Sequence, residues 1–117
     1  MSTDDSLFLY HLVLNETYHD PAAWTDDDRA TIGRHAEFLD GLGRDGRLAL
    51  AGRTLYDPGH PDLFGIAVIR APSLEAAQEM MADDPSVVGG VQRASIHPYS
   101  MAIRHLSRFE RELDGDS

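Results

Sequence analysis

Two segments of this sequence are apolar on both of the faces that an extended chain presents. In residues 6–14, SLFLYHLVL, both alternating sets of positions are largely apolar, and residues 63–70, LFGIAVIR, repeat the pattern. A strand with one face in water alternates between apolar and polar side chains. Both segments therefore predict strands that are covered on both sides, and this requirement restricts the possible folds more than any other feature.

A first helix is predicted between these two strands. Thr25, followed three residues later by Asp28, resembles a capping box at its start. Apolar positions then recur at three- and four-residue spacing, which is typical of one helical face. The residues of that face are Ile32, His35, Leu39 and Leu42. Gly43 or Gly46 is the expected C-cap, and residues 47–55 and 56–62 predict a second strand and a turn.

A second helix, a last strand and a short third helix complete the predicted elements. Ser73 is the expected N-cap of the second helix, which must end before Pro85 because the residue preceding proline avoids the helical region. Its predicted inner face is Leu74, Ala77 and Met81. The last strand, 91–103, contains Pro98 and is therefore an edge or bulged strand. In the tail, 104–117, three apolar residues at helical spacing predict a short C-terminal helix: Leu106, Phe109 and Leu113.

The order βαββαβ predicts an α+β, ferredoxin-like fold, with a four-stranded antiparallel sheet and two helices on one face. We expect one domain over 1–117, with a core of about residues 6–103. The helices leave the second face of the sheet open, and its apolar patch exceeds what a monomer tolerates. A homodimer that packs two such faces into a dimeric α/β barrel, or a higher oligomer built from it, satisfies this requirement. The alternative is a monomer whose loops and C-terminal helix cover the sheet.

Composition excludes several classes of function. Twenty acidic residues against ten basic ones give a net charge of −10, which disfavours nucleic acid and anionic membranes as partners. The absence of cysteine excludes disulfides, thiolate metal sites and a cysteine nucleophile. None of the six histidines forms a close ligand pair, so we expect no metal site and no cofactor. The N-terminus lacks the charge pattern of an export signal, which predicts a cytoplasmic protein.

His35 and Asp84 are the residues that most strongly suggest chemistry. His35 lies on the apolar face of the first predicted helix, where an unpaired imidazole is costly. It is either a core histidine bonded to a backbone carbonyl or a general base held by a carboxylate. Asp84 lies between the second helix and Pro85, where aspartate also serves ordinary turn chemistry. Composition and spacing leave both alternatives open.

Three segments resemble the YCII (YciI-like) family: HAEFLDGLGRDGRLALAG, SLEAAQEMMADDPSVVGGV and IHPY. The resemblance runs from about His35 to Met101. It implies a ferredoxin-like fold, a dimeric α/β barrel and a catalytic dyad of His35 and Asp84. The family includes a chlorinated hydroquinone dehydrochlorinase, and muconolactone isomerases share its fold. Arg53 and Ser86 stand where members often carry proline and an aromatic residue, so pocket shape and substrate are not transferable.

The resulting hypothesis is a small-molecule enzyme that isomerises, or eliminates a small leaving group from, a cyclic or carbonyl substrate. His35 would accept the proton, and Arg53 would hold a carboxylate or phenolate with its planar guanidinium. His11 and His97, on neighbouring strands, would line the pocket, although a structural role is equally compatible with their positions. The competing class is a non-catalytic ligand-binding or oligomerisation module. A third is a cofactor-free or haem-using oxygenase.

Overall fold

The computed structural model describes residues 5–113. Four strands, four helices and two 3-10 turns lie within this range. The strands are β1 (Ser6–Leu14), β2 (Leu48–Arg53), β3 (Gly65–Ala71) and β4 (Gln92–Tyr99). The helices are α1 (Asp26–Arg44), α2 (Leu74–Met81), α3 (Pro85–Val88) and α4 (Leu106–Leu113). The 3-10 turns, Glu16–His19 and Pro21–Ala23, connect β1 to α1.

The four strands form one antiparallel sheet in the order β2-β3-β1-β4. This order confirms the predicted ferredoxin-like α+β fold. The strand that contains Pro98 is at the edge of the sheet, as the proline predicts. It ends at Tyr99 and not at residue 103, because its pairing with β1 ends where Tyr99 lies opposite Leu7.

The core lies between the sheet and the helices. Phe8, Tyr10 and Leu12 alternate along β1 on the side that faces the helices, and all three are buried. Buried residues of α1, α2 and β3 complete this cluster: Leu39, Leu42, Ala67, Ile69, Ala71, Ala77 and Met81. The second predicted helix is buried through Ala77 and Met81, whereas Leu74, in its first turn, is 38% exposed. Leu74 therefore does not belong to the inner face on which the pattern placed it.

The other face of the sheet carries no helix of α1–α3. Leu9 and His11 on β1 point to this side, opposite Val68 and Ile66 of β3. Leu50 of β2 pairs with Val68 and is 39% exposed. α4 forms as the apolar spacing predicted, but Phe109 and Leu113 are exposed. This sheet face is therefore only partly exposed: Leu50 is 39% exposed, whereas Val68 is 3% exposed. We call it the open face because no helix of α1–α3 lies on it.

No helix within residues 5–113 is long and apolar enough to cross a bilayer. The cytoplasmic location remains a prediction.

Candidate active site

The start of α1 positions His35 above the sheet. Thr25 Oγ1 accepts a hydrogen bond from the backbone N–H of Asp28, and the Asp28 carboxylate accepts one from the Thr25 N–H. This reciprocal pair is the predicted capping box, and it fixes where the helix begins. Trp24 donates its indole N–H to the carbonyl of Tyr18 at 3.0 Å, which ties the incoming turn to the helix. Two and a half turns further on, the His35 side chain reaches the core side of the helix.

Asp84 enters the site from the turn between α2 and α3. It is the N-cap of α3, where its Oδ1 accepts the backbone N–H of Ser86 at 2.9 Å. Pro85 occupies the first helical position, where its missing N–H costs nothing. The side chain of Asp84 is fully buried. A buried carboxylate requires hydrogen-bond donors or a positive partner, so its surroundings are informative.

His35 and Asp84, 49 positions apart in the chain, are in direct contact. His35 Nδ1 lies 2.8 Å from Asp84 Oδ1 and 2.9 Å from Oδ2. The imidazole is 14% exposed, whereas the carboxylate has no exposed area. Because an ionised carboxylate only accepts hydrogen bonds, Nδ1 carries the proton in this arrangement. The second ring nitrogen, Nε2, is then the proton acceptor in the neutral ring.

Two further side chains hold the carboxylate. The Tyr10 hydroxyl donates to Asp84 Oδ2 at 2.7 Å, and the Ser86 hydroxyl donates to Oδ1 at 2.9 Å. Because Tyr10 belongs to β1 and Ser86 to α3, the sheet and α3 donate hydrogen bonds to the two oxygens of the same carboxylate. With the Ser86 N–H and His35 Nδ1, four donors converge on Asp84. Every donor in this buried cluster is therefore satisfied by one anion.

These contacts shift the pKa of two groups. Burial alone raises the pKa of Asp84, but hydrogen bonds from His35, Tyr10 and Ser86 outweigh it and leave the pKa below its usual value. Burial, and then the bond to Asp84, raise the pKa of Tyr10 far above the usual range of tyrosine. Asp84 is consequently ionised and Tyr10 protonated near neutral pH. Both states are the ones that the donor geometry requires.

His35 also lines a cavity of about 700 Å³ between α1, the ends of the strands and the loop after β2. Most of the wall is aliphatic or aromatic. The apolar residues include Leu12, Trp24, Ile32, Leu39, Tyr56, Leu63 and Phe64. Asp84 is not part of this wall, since it lies behind the imidazole. A guest molecule in the cavity would meet His35 and not the carboxylate.

Three residues with charged or amide side chains also line the cavity, Asp40, Arg53 and Gln92, and Tyr56 adds a hydroxyl group. Asp40 already forms an ion pair with Arg44 on the next turn of α1. Arg53 forms no salt bridge within residues 5–113 and stands at the end of β2. Oε1 of Gln92 is buried and has no hydrogen-bond partner among residues 5–113. Arg53, Tyr56 and Gln92 are thus the polar residues that a ligand could engage besides His35.

The remaining predicted site residues lie elsewhere. His11 points to the open face of the sheet and stacks on Phe64, with the ring centroids 5.3 Å apart. His97 lies on β4, with Nε2 2.9 Å from Ser95 Oγ. Neither histidine lines the cavity. Ser86, expected to shape the pocket, is instead buried behind His35 on the carboxylate.

Sequence reasoning missed the roles of Tyr10 and Gln92. Tyr10 belongs to an apolar alternation in which a tyrosine suggests packing, and its partner is 74 positions away. Tyr10 pairs with Ile96 of β4 and reaches Asp84 in the α2–α3 turn, and these contacts follow only from the tertiary fold. Within residues 5–113 no group of three or more histidine or acidic side chains is arranged to hold a metal ion.

The fold and the site together define a ferredoxin-like α+β protein with a buried His–Asp pair beside an apolar cavity. The model of the YCII-related domain family matches residues 11–100, and the chain belongs to this family. No curated protein matches the sequence.

Two of the solved structures that are similar to this chain belong to different functional types. One is 5-chloro-2-hydroxyhydroquinone dehydrochlorinase (TftG) from Burkholderia phenoliruptrix, in complex with 2,5-dihydroxybenzoquinone. It has 17% sequence identity and a TM-score of 0.54, with coverage of 80% of this chain and 93% of that chain. The other is SnoaB, a cofactor-independent oxygenase from Streptomyces nogalater, with 14% identity, a TM-score of 0.45 and coverage of 89% and 98%. At 17% identity, the likeness to TftG concerns the fold alone.

Proposed function

We propose that this protein is a small-molecule enzyme in which His35 acts as a general base and Asp84 orients it. The observation that carries the proposal is the contact of 2.8 Å between His35 Nδ1 and a fully buried carboxylate, at the wall of a cavity. A histidine oriented by a second group is the common construction of a general base. Asp84 also stabilises the imidazolium that forms when Nε2 accepts a proton.

The reaction class is isomerisation or elimination on a small cyclic or carbonyl substrate. Nε2 of His35 removes a proton from a ring hydroxyl or from the carbon next to a carbonyl. The electron pair left behind forms a C=O or C=C bond. In an elimination it expels a leaving group such as chloride, and in an isomerisation His35 returns the proton to another atom. Dehydrochlorination, the activity of the similar structure TftG, is one reaction of this kind.

The cavity sets the kind of substrate. Its wall is apolar and partly aromatic, which suits a planar ring of modest size. Arg53, at the same wall, offers a planar fork of donors to a carboxylate or phenolate. A small, anionic, cyclic molecule with one acidic proton therefore fits the cavity, the cation and the base.

The test compares the turnover of His35→Gln with that of the native protein. Chlorinated hydroquinones and small unsaturated lactones serve as candidate substrates. Released chloride and ultraviolet absorbance report turnover, and isothermal titration calorimetry reports binding. We expect His35→Gln to retain binding and to lose turnover by a factor of about 10²–10⁴. His97→Gln, a histidine outside the cavity, is the matched control and keeps native turnover. Equal turnover in His35→Gln and the native protein would contradict the proposal.

A non-catalytic ligand-binding module is the second candidate. Asp84 caps α3 and satisfies four buried donors, and these roles alone give a reason for its presence. A module of this kind would bind ligand without consuming it, and His35→Gln would change only affinity or stability. The oxygenase hypothesis remains a prediction, which oxygen consumption and visible absorbance of the purified protein test.

The protein works as a homodimer through the open face of its sheet. Leu9, Val68 and Leu50 form an apolar row across three strands on this face, and in one copy no helix of α1–α3 covers it. Leu50 is 39% exposed, whereas Val68, in the middle of the row, is buried. Leu50→Asp should shift the molecular mass in sedimentation analysis from dimer to monomer. Leu74→Asp is the matched control, since Leu74 is 38% exposed on the helix side and Leu50 is 39% exposed. A native protein that sediments as a monomer would refute the dimer.

A further inference from the structure

Asp84 receives more hydrogen bonds than a partner of His35 needs. The Tyr10 hydroxyl holds Oδ2, and both the N–H and the hydroxyl of Ser86 hold Oδ1. We propose that Tyr10 and Ser86 are positioning residues that fix the tautomer of His35, so that Nδ1 keeps its proton and Nε2 presents a lone pair to the cavity. This inference rests on the proposed function, since it says how the base is prepared.

The protons of the buried cluster determine the charge state of Asp84. Tyr10 is 1% exposed, and among the described residues its hydroxyl has Asp84 as its hydrogen-bond partner. Ser86 is also fully buried. If Asp84 were protonated, its own O–H group would need an acceptor. One of the four groups that donate to the carboxylate would then lose its acceptor. Leaving a buried donor without an acceptor is costly, so the cluster favours the ionised carboxylate.

Hydrogen bonds from two elements also fix the orientation of the Asp84 carboxylate. His35 Nδ1 is nearly equidistant from the two oxygens, at 2.8 and 2.9 Å. This geometry holds only while the carboxylate plane is fixed about its Cβ–Cγ bond. Tyr10 secures Oδ2 from β1, and Ser86 secures Oδ1 from α3, so the two oxygens are held by different elements. Without the Tyr10 hydroxyl, Oδ2 keeps His35 as its donor among the described residues, and without the Ser86 hydroxyl, Oδ1 still keeps the Ser86 N–H. Either loss weakens the restraint that prevents the carboxylate from turning away from the imidazole.

The contact with Asp84 disfavours the alternative tautomer of His35, in which Nε2 carries the proton. With Nε2 protonated, the Nδ1 lone pair would face both carboxylate oxygens at hydrogen-bond distance, which is repulsive. The other ionisable groups on the cavity wall are Asp40, Arg53 and Tyr56. Asp40 is paired with Arg44. Ser86 Oγ also lies 3.3 Å from Nδ1, but its proton has the shorter contact, 2.9 Å, to Asp84 Oδ1. The state of Nδ1 is therefore decided mainly by Asp84, and the state of Asp84 by Tyr10 and Ser86.

The experiment is long-range ¹H–¹⁵N correlation NMR of the histidine rings in the uniformly labelled, full-length protein. His35→Gln identifies the His35 signals by their disappearance. In the native protein at a pH where the ring is neutral, we expect the ¹⁵N shifts of a single tautomer with Nδ1 protonated. In Tyr10→Phe and in Ser86→Ala, we expect intermediate ¹⁵N shifts, which indicate a mixture of tautomers. A purely structural role would lower the melting temperature and leave these shifts unchanged.

Two matched controls remove similar bonds away from the site. Tyr18→Phe deletes a tyrosine–aspartate bond to Asp28, and Ser95→Ala deletes the serine partner of His97. Both should leave the His35 signals unchanged. The inference is overturned if the neutral His35 ring of the native protein is protonated on Nε2. It is also overturned if Tyr10→Phe and Ser86→Ala, or the one of them that folds, keep the native tautomer. Because the measurement needs no ligand, its outcome is independent of the turnover assay that tests the proposed function.

Discussion

Replacing Asp84 with asparagine is the sharpest test of the energetic role that the geometry assigns to this carboxylate. Asparagine has almost the same shape as aspartate, but an NH₂ group, which only donates hydrogen bonds, replaces one of the two acceptor oxygens. Oδ1 can keep the two bonds from Ser86, at 2.9 Å each. The new N–H groups then face the Tyr10 hydroxyl and His35 Nδ1, both of which are donors in the native protein. Turning the amide over moves the conflict to Ser86 without removing it.

The magnitude follows from the number of bonds lost. A hydrogen bond to a charged group contributes about 1.5–3 kcal/mol. Two such bonds are affected, and partial recovery through a rotated Tyr10 hydroxyl or the other His35 tautomer reduces the loss. We expect the free energy of unfolding to fall by about 3 kcal/mol, within the range for one broken buried charge pair. A chain of this length has a melting entropy of roughly 0.25 kcal/mol/K, so the melting temperature should fall by about 12 °C.

The assay is urea unfolding, followed by circular dichroism, at one fixed protein concentration because association changes apparent stability. Asp28→Asn is the matched control. Asp28 also accepts a tyrosine hydroxyl, from Tyr18 at 3.1 Å, but it lies at the helix start near solvent. Its variant should lose much less stability than Asp84→Asn. Equal losses in the two variants, or native stability in Asp84→Asn, would refute the buried-donor argument.

Three further predictions concern pH and the backbone. Because the folded pKa of Asp84 lies below its usual value of 3.8, its contribution to stability is complete above that value. The contribution is lost as pH falls through the lowered folded pKa, so urea midpoints should decline more steeply below about pH 4 in the native protein than in Asp84→Asn. Thr25→Ala should cost about 1 kcal/mol of unfolding free energy by removing the capping box, as urea unfolding would show. Gly46 has φ of +77°, and Gly46→Ala should cost about 1–2 kcal/mol by the same measurement.

The fold was accessible from sequence because its main determinants are local. The double apolar alternation of β1 and β3 requires cover on both faces, and the Thr25 capping box and Ser73 N-cap mark where two helices start. Pro85 correctly predicted an end to α2, but not that it would begin the short helix α3. That extra turn depends on the Asp84 cap, whose geometry is a property of the folded chain.

The site was accessible only in part. The periodicity of α1 identified His35 because an imidazole on an apolar face needs a partner. Nothing local shows which residue is that partner, since His35 and Asp84 are 49 positions apart and are brought together by the tertiary fold. Tyr10 fits its apolar alternation equally well as a packing residue. Its polar role is evident only from the structure, in which the Tyr10 hydroxyl donates to the Asp84 carboxylate.

Arg53 shows why lining residues were the hardest to place. Strict alternation along β2 would put Leu48 and Arg53 on opposite faces of the sheet, because they are five residues apart. The register shifts between Leu48 and Leu50, and this irregularity inserts one extra residue. Leu48 and Arg53 therefore share the helix side, opposite Ile69 and Gly65 of β3. Arg53 lies at the cavity because of this single-residue insertion, which leaves no periodic signal in the sequence.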